Sequence, residues 1–250
     1  MKLMLYLLFA GSLITSSAIA ATYEVTIDWA QRIAFAAPVH GRVTEVLHEA
    51  GDFIEAQTAI VRVDDTPYRH RVTISDSMVA RTAAQHRSAT DALAREQELF
   101  EIGSLSTVEL DRVKLTAAVA ESAYNEAVAQ RELARYELDQ TTIKTAFDGW
   151  LVEQHTAVGQ YLNPAASDIT LFVLAPAQRY LGVADVPMDV AHRISLGASI
   201  AIAVGDRNYL GRVVTPRANS TEPDRYLLHL RFDTDGGSLL PGTTGLIDIP

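Results

Sequence analysis

The side chains that most often carry chemistry are sparse in this 250-residue chain and poorly placed to cooperate. The seven histidines (His40, His48, His70, His86, His155, His192, His229) are scattered, and none stands four residues from another, the spacing that puts two imidazoles on one helix face for a metal. Cysteine is absent, which removes a thiol nucleophile, a cysteine-ligated zinc or iron–sulfur cluster, a disulfide framework and a lipid-bearing cysteine at a processed N-terminus. Four methionines, one of them the initiator, are too few for a methionine-rich copper or silver site. The pair Asp64-Asp65 stands where a strand-like stretch gives way to helix formers, a place where carboxylates favour a helix N-terminus rather than catalysis. There is no Gly-x-Ser-x-Gly elbow and no glycine-rich phosphate loop. These residues predict a protein that is not an enzyme and holds no cofactor and no metal.

Composition narrows the partners. A formal charge of −10 with only three lysines, Lys2, Lys114 and Lys144, leaves no basic patch for phosphates, so a nucleic-acid partner is not expected. A hydrophobic content of 48% is enough for a real core and excludes wholesale disorder. At the start, Lys2 precedes an almost wholly apolar run from Leu3 to Leu13, and Ala18-Ile19-Ala20 has the small-x-small form of a cleavage site. Residues 1–20 therefore read as a secretory signal peptide cleaved near Ala20. The alternative, an uncleaved anchor, meets an apolar run shorter than the ~20 residues of a spanning helix.

The elements that must position any functional residue change character along the chain. From Tyr23 to about Val63, short β-branched stretches such as Val25, Ile27, Val43, Val46 and Ile60 to Val63 are punctuated by Gly41 and Gly51, the pattern of strands. From Thr66 to Asp139 the only glycine is Gly103 and no proline follows Pro67, while Ala, Glu, Gln and Arg abound, which predicts helix. Strands return from Ile143, with turn signals at Asp148-Gly149, Gly205-Asp206 and Pro241-Gly242.

The helical segment reads as two arms folded back on each other. Thr66 suits an N-cap with Pro67 at the first helical position, and the arm runs to about Ile102. Gly103 can take the left-handed conformation that ends a helix, and Ser106 with Glu109 forms a capping box for the second arm. That arm carries Leu110, Val113, Ala117, Ala120, Tyr124, Ala127, Ala134 and Leu138 at alternating three- and four-residue steps, interrupted by Arg131. This is a coiled-coil seam. The first arm answers with Val72, Val79, Leu93 and Phe100, broken by His86, and with a second track that is small or polar. Arms of about 34 residues at ~1.5 Å per residue make a rod on the order of 50 Å long, expected to project from the β structure.

The flanks of the rod repeat each other. Before it stand Ala37-Pro38-Val39-His40-Gly41-Arg42-Val43, Gly51-Asp52-Phe53-Ile54 and Ile60-Val61-Arg62-Val63; after it stand Phe147-Asp148-Gly149-Trp150-Leu151, Gly159-Gln160-Tyr161-Leu162 and Leu171-Phe172-Val173-Leu174. Each half runs strand, glycine turn, strand and closing strand. Beyond them, Ile200, Ile202 and Val204 alternate with Ser199, Ala201 and Ala203, and Tyr226, Leu228, Leu230 and Phe232 alternate with Leu227, His229, Arg231 and Asp233. Such alternation, with a short helix between Met188 and Leu196, predicts a small β-barrel.

In this order of parts the chain resembles the periplasmic adaptor proteins, or HlyD-like membrane fusion proteins, of tripartite efflux pumps and type I secretion systems. The resemblance implies an elongated, multidomain α+β protein: a split biotinyl/lipoyl-like β module with an inserted antiparallel coiled-coil α-hairpin, followed by a small β-barrel. Its expected division is an N-terminal strand segment (21–34), lipoyl-like first half (35–65), α-helical hairpin (66–140), lipoyl-like second half (141–175) and barrel (176–250). A true biotinyl or lipoyl carrier presents a lysine at the turn between its halves; here the hairpin replaces that turn, Lys114 lies in the second arm, and Lys144 starts the second half, so no carrier function is expected.

The resemblance also assigns the docking residues. Adaptors that meet TolC-type outer-membrane channels carry arginine, leucine and serine at the hairpin tip, and Arg95, Leu99 and Ser106 occupy the matching positions, straddling the turn at Gly103. The implied function is a non-enzymatic periplasmic adaptor, associated with the inner membrane through its partners and not a lipoprotein. Those partners are an inner-membrane transporter, of resistance-nodulation-division (RND) type in the first reading, a TolC-type channel, and further copies in a ring, expected to be a hexamer. An adaptor of an ABC-type exporter or type I system is the alternative, and a stand-alone periplasmic ligand- or metal-binding protein is the alternative from another class. Many RND-type adaptors add a membrane-proximal domain built from both chain ends; with only Tyr23 to about Ile33 ahead of the first half module, docking to the transporter is expected either to fall to the barrel or to differ from the family pattern.

Overall fold

The structure is a computed structural model that describes residues 21–165, 169–220, 222, 224–235 and 238–249. The expected signal peptide lies outside the described residues. Before the rod come β1 (Ala21–Trp29), β2 (Ile33–Ala36), β3 (Gly41–Val46), β4 (Phe53–Ile54) and β5 (Ala59–Val63). The rod is α1 (Thr66–Glu101) and α2 (Thr107–Asp139). After it come β6 (Thr142–Lys144), β7 (Gly149–Gln154), β8 (Tyr161–Leu162), β9 (Thr170–Pro176), β10 (Arg179–Pro187), α3 (Met188–Arg193), β11 (Ser199–Val204), β12 (Arg207–Ala218), β13 (Arg225–Asp233) and β14 (Thr244–Ile249). Contacts gather these elements into two compact units, one from the stretch ending at Gln31 with that from Gln178 onward, the other from Arg32 to Ala177.

The first unit is a closed six-stranded barrel in the order β1-β10-β13-β12-β11-β14. Alternation fills it: Leu228, Leu230 and Phe232 from β13 and Ile200, Ile202 and Val204 from β11 are buried with Val25, Ile27, Tyr180 and Ile247. Closure depends on β1, which pairs with β10 (Val25↔Ala184) on one side and with β14 (Val25↔Gly245) on the other. The 21–34 stretch is therefore divided: Ala21–Trp29 is a barrel wall, whereas β2 joins the other unit. Neither pairing shows in the local sequence, because both partners lie more than 130 residues away along the chain.

In the second unit two four-stranded sheets, β2-β9-β7-β4 and β6-β5-β3-β8, enclose a core of Val43, Ile54, Ile60, Leu151, Leu162 and Phe172 with their neighbours. Each sheet takes two strands from either side of the rod, so neither half has a complete sheet of its own. The internal repeat is visible in the pairing: β4 lies on β7 through Ile54↔Gly149 and Phe53↔Trp150, and β8 lies on β3 through Leu162↔Gly41 and Tyr161↔Arg42. Gly149 has to be glycine because a Cβ there would stand 2.5 Å from the backbone oxygen of Ala175 on β9.

The rod springs from this module. Its N-cap is Asp65 rather than Thr66, with no side-chain capping bond of its own; the Asp64 carboxylate instead accepts the Thr66 N–H at 3.0 Å, which puts Pro67 one position further in. Hydrogen bonding from the Thr66 side chain first, and from its backbone N–H second, favours the charged form and holds the Asp64 carboxyl below its ordinary range. The short helix of the barrel likewise ends at Arg193, before Leu196. Along the rod, Leu110, Ala117, Ala127 and Ala134 of α2 are buried, and Val113, Ala120, Tyr124, Arg131 and Leu138 are half-buried between them. Against them α1 sets Tyr68, Val72, Ser75, Val79, Thr82 and His86, each three or four residues from the last. The buried Thr82 hydroxyl turns back onto the Met78 carbonyl at 2.9 Å, and His86 stacks on Tyr124 with ring centroids 5.7 Å apart. The buried Thr82 hydroxyl is thereby satisfied within its own helix.

At the base, Tyr68 is almost fully buried and its hydroxyl donates to the His40 carbonyl at 2.7 Å, tying α1 to the loop before β3. Burial pushes the Tyr68 hydroxyl pKa up. Above it Arg71 pairs with Glu137, and Arg135 with Asp76 at 3.2 Å, both across the two helices. Tyr68→Phe is expected to cost about 1–2 kcal/mol in urea unfolding, because the His40 carbonyl loses its donor while the ring packing stays.

Candidate partner-docking site at the hairpin tip

The tip is built from local signals. α1 stops at Glu101, Gly103 takes φ +74°, and the Gly103 and Ser104 N–H groups close the turn on the Phe100 and Leu99 carbonyls, both at 2.9 Å. Ser106 then caps α2: its hydroxyl oxygen accepts the Glu109 N–H at 3.3 Å, its O–H donates to Glu109 Oε2 at 2.8 Å, and its own N–H reaches the same carboxylate at 3.3 Å. Those bonds hold the Glu109 carboxyl below the ordinary carboxylate range, the Ser106 hydroxyl contributing most. A depressed folded pKa stabilises above the unfolded value and is lost as pH falls through the folded one. Hydrogen exchange in the first turn of α2 should therefore be slow at neutral pH and accelerate below about pH 4. Ser106→Ala should cost about 1 kcal/mol of hairpin stability in the same measurement, and Ser106→Thr much less.

Arg95, Leu99 and Ser106 come together on the last turns and the turn itself, all exposed. They differ in what occupies them. Ser106 is spent on the cap. Arg95 has no hydrogen-bond or ion-pair partner among the described residues, and Leu99, 42% exposed, lies just outside the seam next to half-buried Phe100. Arg95 and Leu99 are four residues apart and so share one side of α1. An unpartnered guanidinium beside an exposed leucine, on a helix end with a fixed turn, can bind a surface that offers carboxylates or carbonyls next to an apolar hole. Two residues that the sequence reading passed over sharpen the site: Ile102 and Val108 flank the turn at 73% and 77% exposure. Val108 stands two residues off the seam rhythm, and that offset was the signal for it.

Among the described residues no group of three or more His, Asp or Glu converges on a metal-sized space, and no helix is long and apolar enough to cross a membrane. Lys144 is exposed at the end of β6 and lies 3.4 Å from Asp139.

No family model matches the chain. Its fold is nonetheless that of the membrane fusion proteins, the periplasmic adaptors. A membrane fusion protein of Streptococcus pneumoniae R6 superimposes with a TM-score of 0.66 at 16% identity, over 92% of this chain and 98% of that one. A MacA–MexA chimera carrying the Pseudomonas aeruginosa MexA α-hairpin gives 0.64 at 16% identity, over 92% and 81%. MacA of Actinobacillus actinomycetemcomitans gives 0.61 at 15% identity, over 92% and 78%. Among curated sequences, the uncharacterized protein YdhJ of Escherichia coli (strain K12) is 22% identical over 134 residues, which is 54% of this chain but only about half, 47%, of that relative.

Proposed function

We propose that this chain is a non-enzymatic periplasmic adaptor of a tripartite efflux pump, linking an inner-membrane transporter of RND type to a TolC-type outer-membrane channel. The observation that carries this is the tip: Arg95 and Leu99 are exposed and uncommitted at the end of a rod whose turn is fixed by Gly103 and the Ser106–Glu109 box. The membrane-fusion fold supports the reading, as does the split β module, taken here as biotinyl/lipoyl-like because both of its sheets are completed across the hairpin. In this reading the work is mechanical. The protein holds two membrane complexes in register, and several copies, six in the simplest case, line a conduit.

A photo-cross-linking residue placed at Leu99 tests it. The expected product in intact cells is an adduct with a TolC-type channel, and co-purification should recover a proton-driven transporter. Recovery of an ATPase would reassign the chain to an ABC-type exporter or type I system. Absence of any channel adduct, with the protein folded and exported, would overturn the bridging role.

A further inference from the structure

A layer of rings closes the barrel interior at the end where β1 finishes. Trp29, Tyr180 and Phe232 are direct cross-strand partners, and their rings stack in a row, with centroids 5.5 Å apart for Trp29 and Tyr180 and 5.9 Å apart for Tyr180 and Phe232. Tyr209 of β12 continues the row, 5.3 Å from Phe232. Behind this layer the interior is full: a Cβ on Gly211 would stand 2.6 Å from Ile202 Cδ1, and one on Gly182 would stand 2.8 Å from Val25 Cγ2. Space for a guest at this end therefore lies at the mouth, outside the ring layer.

At the mouth the wall comes apart between β12 and β13. Their pairing runs from Ala218↔Tyr226 to Arg212↔Arg231 and stops; among the described residues, 207–211 go on pairing with β11 only, and Phe232 and Asp233 with β10 only. The gap holds a cleft of about 630 Å³, lined by Arg207, Asn208, Tyr209 and Leu210 on one side and by Asp233 and Asp235 on the other. That is the size of a small-molecule pocket, and barrel mouths are a usual place for one. Each side of the gap contributes a buried hydroxyl oxygen with no hydrogen-bond partner among the described residues, Tyr209 Oη and Thr234 Oγ1. Thr234 is only 2% exposed, and its N–H donates to the Gln178 carbonyl at 2.9 Å, which carries the β10 pairing one step past Asp233 and sets its side chain on the inward face with Leu230 and Phe232. The nearby Tyr180 hydroxyl, by contrast, accepts the Leu239 N–H at 2.9 Å. Buried hydroxyls left unpaired are costly and few in native structures, and two at one mouth call for a guest that pairs with them. The charges at the cleft are free as well: Asp233, Asp235 and Arg207 are exposed and make no ion pair among the described residues, leaving two carboxylates to one guanidinium.

We propose that this cleft binds an amphipathic organic cation. Its flat apolar body lies against the Tyr209 ring and Leu210, its positive charge faces Asp233 and Asp235, and its N–H groups donate to the Tyr209 and Thr234 hydroxyls. The other ligand classes fit less well. An anion meets the two carboxylates, a neutral hydrocarbon leaves both hydroxyls unpaired, and a bare metal ion lacks a third His, Asp or Glu among the described residues. The site lies wholly within the barrel unit. It goes beyond the adaptor reading, which gives the chain no ligand, and does not depend on it.

Rhodamine 6G, a flat cation with N–H donors, is the probe, and the anion fluorescein is its control, both followed by fluorescence anisotropy with the purified protein. Saturable micromolar binding of rhodamine 6G is expected, with none of fluorescein. Asp233→Asn combined with Asp235→Asn should weaken the dye several-fold. Thr234→Val keeps the side-chain shape and removes an unpaired hydroxyl, so it should raise the unfolding midpoint while weakening the dye several-fold, two opposite changes that a threonine serving the fold alone would not give. A lowered midpoint would mean that the hydroxyl already has a partner, and would overturn its role in binding. No saturable binding below about 1 mM, equal binding of fluorescein, or dye binding untouched by either variant would overturn the site. The channel adduct of the Leu99 probe should persist in every cleft variant. Failure of the dye with that adduct present removes the ligand site and leaves the adaptor function standing, and loss of the adduct with dye binding intact does the reverse.

Discussion

Arg95→Asp is expected to abolish channel cross-linking and export while leaving helical content and the unfolding midpoint unchanged. The two halves of that expectation have separate causes. Arg95 is exposed and makes no hydrogen bond or ion pair among the described residues, so replacing it removes no contact that supports the fold, and surface changes of this sort move stability by about 0.5 kcal/mol or less. At an interface the same residue is a different matter. A buried arginine anchor is worth about 2 kcal/mol or more, roughly thirtyfold in affinity, and an aspartate in its place adds repulsion from the carboxylate or carbonyl that the arginine would have met. Arg95→Lys should fall between, since an ammonium keeps the charge and loses the two-pronged geometry. Wild-type export by Arg95→Asp cells would sink the tip assignment.

Phe172→Ala should be the most damaging single truncation in the β module, costing on the order of 3–5 kcal/mol. The side chain is fully buried and stacks on Phe35 with centroids 4.8 Å apart and an interplanar angle of 20°. Its strand, β9, lies between β2 and β7, so a void there loosens the pairing Phe35↔Phe172 on one side and Gln154↔Phe172 on the other. Collapse around the void is resisted on the β7 side, where Gly149 already lies against the Ala175 backbone. Chemical unfolding followed by tryptophan emission, for which Trp150 on β7 is a reporter within the same sheet, measures the loss. A change below about 1 kcal/mol would mean that this core refills more freely than close packing permits.

What could be read from the chain before its structure follows a physical line between local and distant causes. The Ser106–Glu109 box, the left-handed Gly103 and the α2 seam from Leu110 to Leu138 are all set by residues within a few positions of one another, and their side chains are where the spacing puts them. The start of α1 slipped by one residue because Thr66 and Asp65 are both competent caps, and only the Asp64 bond to the Thr66 N–H decides between them. The place of β1 in the barrel wall was not legible, since a strand's alternation says which face it buries and nothing about which distant strand it meets.

The position of β1 also bears on how the protein is made. Its pairing Val25↔Gly245 joins residues separated by nearly the whole chain, and the entire second unit lies between them in sequence. During synthesis β1 stays a bare edge, with open N–H and C=O groups, until β10 and finally β14 have emerged. Contacts of such sequence separation form slowly, and an unpaired strand waiting for them invites association with other chains. The rod, whose helices touch through a turn of a few residues, needs no such wait. The expected order is therefore hairpin first and barrel closure last, with a holding chaperone most useful in the interval between the two.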